Sequence, residues 1–81
     1  MDKLRLLFAK VLKVNYEEIS EETSSRNIVQ WDSLVSMALI ARLEDDFEVE
    51  FTIDEIRQIN SVAAARKILI DKGFIDKLKE E

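Results

Sequence analysis

No proline interrupts this chain of 81 residues, and its single glycine, Gly73, lies close to the C-terminus. Turn-rich β-sandwiches rely on these two residues for fixed or positive φ, so their scarcity excludes that architecture and leaves few places for sharp irregular turns. The apolar spacing then selects helices. Leu4, Leu7, Phe8, Val11 and Leu12 recur with the period of one buried helical face, behind Asp2 as a plausible N-cap. Val14, Tyr16 and Ile19 carry the apolar signal into residues 20–27, whose Ser, Thr and Asn side chains compete for backbone hydrogen bonds. That stretch is expected to be the longest loop, with a turn of helix near Glu17. A second helix is expected from Ser33 to about Phe47, with Asp32 as its N-cap. Thr52 and Glu55 have the spacing of a capping box for a short helix ending near Asn60. Ser61 then caps a last helix carrying Val62, Ala65, Ile68 and Leu69, with Lys72 in its final turn and Gly73 as its stop. Residues 74–81 are expected to add a frayed tail turn. The fold class that follows is all-α: a small four-helix bundle of three longer helices and one short one.

Length and composition bound the function. A chain this short makes one domain, taken as residues 1–81 with its core in about 2–73, and has no room for a deep enclosed active site beside that core. It contains no histidine and no cysteine, which removes imidazole bases, thiolate nucleophiles, zinc ligands and disulfides together. No apolar run reaches the length of a membrane span, and the start Met1-Asp2-Lys3-Leu4-Arg5 lacks the apolar segment of a signal peptide, so the cytoplasm is the expected compartment. A formal charge of −5 argues against general attraction to nucleic acid or anionic membrane, and favours partners with basic patches. The acidic cluster Glu44, Asp45, Asp46, Glu48 and Glu50 lacks the mid-loop glycine and alternating ligands of a calcium loop, so no metal site is expected. Asp32 beside Ser33 has no histidine to serve as general base, and no lysine stands three residues after Ser33; no catalytic residue and no enzyme activity are expected.

The second helix holds more apolar residues than one core stripe requires. Projected at roughly 100° per residue, Met37, Leu39, Ile40, Leu43 and Phe47 gather on one side, assigned to the core. Leu34, Val35, Ala38 and Ala41 fall on another, near Arg42 and Asp45. Either the preceding loop folds over this second group or it contacts something outside the domain. Ser33 itself sits on the first turn, where its hydroxyl is modifiable without disturbing a core.

The run Trp31-Asp32-Ser33-Leu34, followed by Met37, Leu39-Ile40, Leu43-Glu44-Asp45-Asp46-Phe47, Val49 and Phe51-Thr52-Ile53, resembles the acyl carrier proteins and related phosphopantetheine-dependent carrier domains. The likeness spans nearly the whole chain, from the first helix to Gly73. It implies a bundle of the acyl-carrier type in which Ser33, flanked by Trp31, Asp32 and Leu34, carries a covalent 4′-phosphopantetheine arm. The arm would be transferred from coenzyme A by a phosphopantetheinyl transferase. Its terminal thiol would hold acyl or aminoacyl groups as thioesters and shuttle them between acyl-transferring or acyl-activating enzymes. Such a protein is expected to be a non-catalytic monomer with no stable membrane insertion, in a specialised fatty-acid, lipid or polyketide type pathway. In relatives the acyl chain can enter the bundle; the corresponding residues are Met37, Ile40, Leu43 and Phe47, with Ile59, Val62 and Ile68 opposite, whose bland reading is ordinary core. Leu34, Val35, Ala38, Ala41, Glu44 and Asp45 would form the partner-docking face. A chain of this length with its own Met1 suggests a discrete protein, the alternative being an excised domain that acquired that methionine.

Several positions depart from the family pattern. Gln30 stands where glycine is common, Ile28-Val29 where an acidic residue and leucine are usual, and Val35 and Ala38 where acids often lie. These substitutions suggest a more apolar approach by partner enzymes than the usual acidic helix offers. Trp31 either packs over the start of the helix or touches the arm. The alternative function is a small helical interaction adaptor without prosthetic group, docking through the same apolar face.

Overall fold

The side chain of Asp2 begins the structure: its Oδ1 accepts from the amides of Leu4 at 3.0 Å and Arg5 at 3.4 Å, capping the first helix. A computed structural model describes residues 2–74; the expected tail turn therefore falls mostly outside the described residues. Among the described residues four α-helices follow one another as α1 (Lys3–Leu12), α2 (Ser33–Phe47), α3 (Ile53–Gln58) and α4 (Val62–Asp71), with a 3₁₀ turn at Tyr16–Glu18. No β-strand occurs among the described residues; one isolated bridge joins Ser24 to Ser61. This is the small all-helical bundle expected, with one short helix beside three longer ones.

The core is built from Leu4, Leu7, Phe8 and Leu12 of α1, Leu39, Leu43 and Phe47 of α2, and Val62, Ala65, Ile68 and Leu69 of α4. Ile19, Trp31, Val49, Phe51 and Ile59 close it from the connections. The short helix α3 has no buried residue of its own. It is held by the Thr52/Glu55 capping box, with both reciprocal bonds present, and by the ion pair from Lys72 Nζ to Glu55 at 3.0 Å. It ends at Gln58 and not at Asn60, because Ile59 leaves helical geometry to bury its side chain while the Asn60 carbonyl accepts from the amide of Ser25.

The long connection 13–32 is ordered by the polar side chains that made it a loop. Thr23 Oγ1 accepts from the Ser20 amide at 2.9 Å, Asn27 Oδ1 accepts from the Ser24 amide at 2.9 Å, and Asn27 Nδ2 donates to the Glu22 carbonyl at 2.9 Å. The loop in turn caps α4, since the carbonyls of Thr23 and Glu21 accept from the amides of Val62 at 3.0 Å and Ala63 at 3.1 Å, while Ser61 Oγ accepts from Ala64. Arg66 on α4 locks this junction. It donates through Nε to Glu21 Oε1 at 2.7 Å and through Nη2 to Glu21 Oε2 at 2.8 Å, and it also pairs with the Asp2 carboxylate. Glu21 first, then Asp2, hold the guanidinium proton more tightly than in free arginine.

The helix ends qualify the expectation drawn from glycine scarcity. α4 stops as expected: Gly73 is at φ 90°, its amide donates to the Ile70 carbonyl, and the Phe74 amide donates to the Leu69 carbonyl in a Schellman arrangement. However, α1 and α2 end the same way on non-glycine residues, Lys13 at φ 60° and Glu48 at φ 54°. The next amides, of Val14 and Val49, return to the carbonyls of Ala9 and Glu44. Sharp helix stops therefore occur without glycine, with a left-handed residue tolerated because buried neighbours hold the reversal. Left-handed geometry costs a Cβ-bearing residue about 1–2 kcal/mol, and glycine's extra unfolded-state entropy returns part of that. Lys13→Gly is accordingly expected to stabilise the domain by about 0.5–1 kcal/mol, seen as a higher urea midpoint at unchanged m-value; an unchanged or lower midpoint would contradict it.

Candidate functional site

The start of α2 is built by two consecutive residues with different tasks. Trp31 is buried, with 4% of its surface exposed, its ring 5.5 Å from that of Phe8 in a tilted pair and its indole N–H donating to Ser36 Oγ at 2.8 Å. Of the two roles open to Trp31 in the sequence, packing under the helix start is the one the contacts display. Asp32 is the N-cap: its Oδ1 accepts from the Val35 amide at 2.9 Å and its carbonyl accepts from the Ser36 amide at 2.8 Å. The amides of Ser33 and Leu34, the first two of the helix, are left outside this cap, so the positive end of the helix dipole faces outward beside the Ser33 side chain. Ser33 is exposed, and no acidic residue occupies the first turn of the helix.

Beyond Ser33, one stripe of α2 borders an open cleft of about 480 Å³ between α2 and α3. Ser36, Met37, Ile40, Ala41 and Glu44 form its α2 wall. Ile56, Arg57, Ile59 and Asn60 line it from α3 and the segment after it, and Trp31 and Ser25 complete the lining. The stripe lies three, four, seven, eight and eleven residues after Ser33, so at about 100° per residue the serine stands on the same line. The cleft therefore opens along the same face of α2 that carries the serine.

Not every residue singled out in the sequence lies here. Met37 was assigned to the core, but it is 71% exposed. The assignment fails because the core takes only the narrow stripe of Leu39, Leu43 and Phe47, and Met37 stands well around the helix from it. Of the residues offered as a lining for an acyl chain, Met37, Ile40 and Ile59 border the cleft. Leu43, Phe47, Val62 and Ile68 lie instead in the packed core. Of the docking residues, Leu34 is 79% exposed, and Ala38, Ala41 and Asp45 are also exposed. The loop does not fold over these. Val35 is half-buried against the core, and Glu44 accepts the Phe51 amide through Oε2 at 3.0 Å, so both also have structural tasks. Ser25, Ser36, Ile56, Arg57 and Asn60 were not anticipated at the site. Helical spacing from Ser33 was a signal for Ser36; the others arrive by tertiary folding. Val29, 97% exposed, adds an apolar side chain in the turn preceding Trp31. Among the described residues no group of acidic side chains is placed to hold a metal ion, and no helix is long and apolar enough to cross a membrane.

A comparison with known protein families matches residues 2–66 to the family described as the phosphopantetheine attachment site. The match covers most of the chain, and the protein belongs to this family. Its members attach 4′-phosphopantetheine covalently to a serine, and its carrier domains are typically non-catalytic and work with phosphopantetheinyl transferases and acyl-handling enzymes. The residues present fit the group: an exposed serine hydroxyl, open amides beside it for a phosphodiester, and an apolar cleft in line with it.

The cleft's α3 wall depends on a charge. The Glu55 carboxyl is held below the usual range, chiefly by the Thr52 amide and then by Lys72. A carboxylate whose folded pKa is depressed stabilises the fold above its unfolded pKa, and that contribution is lost as pH falls through the folded value. Between about pH 6 and pH 3, Glu55→Gln should therefore lose stability less steeply than the wild type in chemical denaturation. Parallel acid limbs would show that Glu55 carries no such linkage.

Proposed function

We propose that Ser33 is the attachment serine and that the protein is an acyl carrier whose arm works from the start of α2. The observation that carries this is the register of Ser33 with the cleft stripe Ser36, Met37, Ile40, Ala41 and Glu44, at an exposed, capped helix start. Attachment would form a bond from Ser33 Oγ to the phosphorus of the phosphopantetheine half of coenzyme A. The pyrophosphate P–O bond breaks, the adenosine bisphosphate half leaves, and the serine proton passes to a base of the transferase. When bound, the arm supplies a terminal thiol for acyl thioesters, which the cysteine-free chain lacks.

The chain's own residues supply position. Asp32 and the buried Trp31 hold the helix start still, so that Ser33 is presented outward at one angle. The open amides of Ser33 and Leu34 favour an anionic phosphodiester. The first turn of α2, Ser33 to Ser36, carries no general base of its own, so the base that takes the serine proton is the transferase's. Partner enzymes approach the face of Leu34, Ala38, Ala41 and Asp45, with Val35 and Glu44 at its edges. The exposed apolar Leu34 and Val29 near the serine support contacts less dependent on charge than an acidic helix would make. Specialised acyl-activating or acyl-transferring enzymes of a fatty-acid, lipid or polyketide type pathway fit this surface, with the cytoplasm as the compartment where coenzyme A is used.

Incubation with coenzyme A and a broad-specificity phosphopantetheinyl transferase should add one phosphopantetheine to the intact mass, and Ser33→Ala should abolish the gain. No gain under conditions that modify a control carrier would favour the adaptor reading. For docking, Leu34→Asp and Ala38→Asp are cleaner probes than Val35→Asp, since Val35 also packs on the core. Each should leave the fold intact and reduce loading by the native acyl-activating partner roughly tenfold, as expected for one to two kcal/mol at an interface centre. Unchanged loading kinetics would remove this face from the interface.

A further inference from the structure

The hydroxyl of Ser36 is held by one hydrogen bond that it accepts, which leaves its proton to donate. A serine hydroxyl has one proton to donate and two lone pairs to accept with. One lone pair receives the indole N–H of Trp31 at 2.8 Å, and among the described residues no acceptor is found for the proton. Ser36 and Trp31 are both among the residues that line the cleft. Ser36 also lies three residues after Ser33, where helical neighbours place their Cβ atoms about 5–6 Å apart on one face. Trp31 cannot easily move away, because its ring is buried against Phe8. The donor Nε1–H therefore orients Ser36 Oγ while contributing no acceptor of its own.

We infer that Ser36, oriented by Trp31, is a positioning residue that donates its hydroxyl proton to an oxygen of the prosthetic arm and so holds the arm in the α2–α3 cleft. The inference rests on the reading of Ser33 as the attachment point. A phosphodiester and amide carbonyls both offer oxygen acceptors, which the hydroxyl proton of Ser36 can meet. Ile40, Ile59 and the Trp31 face supply apolar cover to the methylene parts of the arm. Leu43, Phe47, Val62 and Ile68 belong instead to the packed core and do not line this cleft. The arm would then rest on the surface of the bundle between partner visits, with Trp31 reporting its presence.

The test uses the loaded protein, in which the arm carries the sole thiol because the chain has no cysteine. Intact mass first establishes loading. No mass gain overturns the Ser33 reading and this inference with it. In loaded wild type, the Trp31 indole N–H resonance should shift from its unloaded position, and the thiol should react with a disulfide reagent more slowly than free pantetheine. Ser36→Ala should still load and keep its helix, since alanine favours helical geometry. Its thiol should react faster, by up to about fivefold, the population change expected from one lost neutral hydrogen bond. Ser36→Thr, which retains the hydroxyl, should restore slow reaction. If Ser36 only satisfies the buried indole, Ser36→Ala will melt at lower temperature but react at the wild-type rate, and the indole resonance will not move on loading. That result overturns the inference while leaving Ser33 in place.

Discussion

Helix α2 buries only the narrow stripe of Leu39, Leu43 and Phe47, and the remainder of the structure depends on how little of it the core consumes. A helix that buried its whole apolar content would have no free surface beside Ser33. Because the core takes three side chains, one flank of α2 is left to line a cleft and another is left exposed. Hydrophobic burial drives the bundle together, yet its extent along α2 is set by the volume that α1 and α4 leave unfilled.

The connection 13–32 and α4 act as a brace for this arrangement. Loop carbonyls cap α4, Arg66 joins Glu21 and Asp2, and Asp2 caps α1, so both chain ends of the core and the loop between them share one polar junction. From that junction the loop runs to Trp31, whose burial sets the angle at which α2 begins. The polar composition that made residues 20–27 a loop in the sequence is thus the same chemistry that ties the loop down. The cleft's far wall is more lightly held, since α3 buries none of its own residues and relies on its capping box and Lys72.

Particular residues show what was readable in advance. Asp2, Asp32, Thr52 and Ser61 each announce a helix start, because capping involves groups within one turn of each other and leaves a local pattern. The span Ser33–Phe47 and the stop at Gly73 were legible for the same reason. Met37 was not: helical periodicity places it next to apolar neighbours without telling which of two adjacent faces the bundle will cover. Lys13 and Glu48 adopt left-handed geometry with no compositional sign, since glycine is the usual marker and a buried neighbour can impose the turn instead. Arg57, Asn60 and Ser25 reach the cleft from other segments, and nothing in their local surroundings points to Ser33.

The amino-acid order alone specified four helices, their caps, the exposed serine on the first turn of α2 and the resemblance that the family comparison then supported. These follow from interactions spanning no more than a turn, together with a motif that survives as a linear pattern. Folding in three dimensions settled which stripe of α2 entered the core, that Met37 stayed outside it, that Val35 was half-covered, and that Trp31 met Ser36 beside an open cleft. Those outcomes depend on side chains distant in sequence competing for the same space. Periodicity along one helix carries no record of that competition.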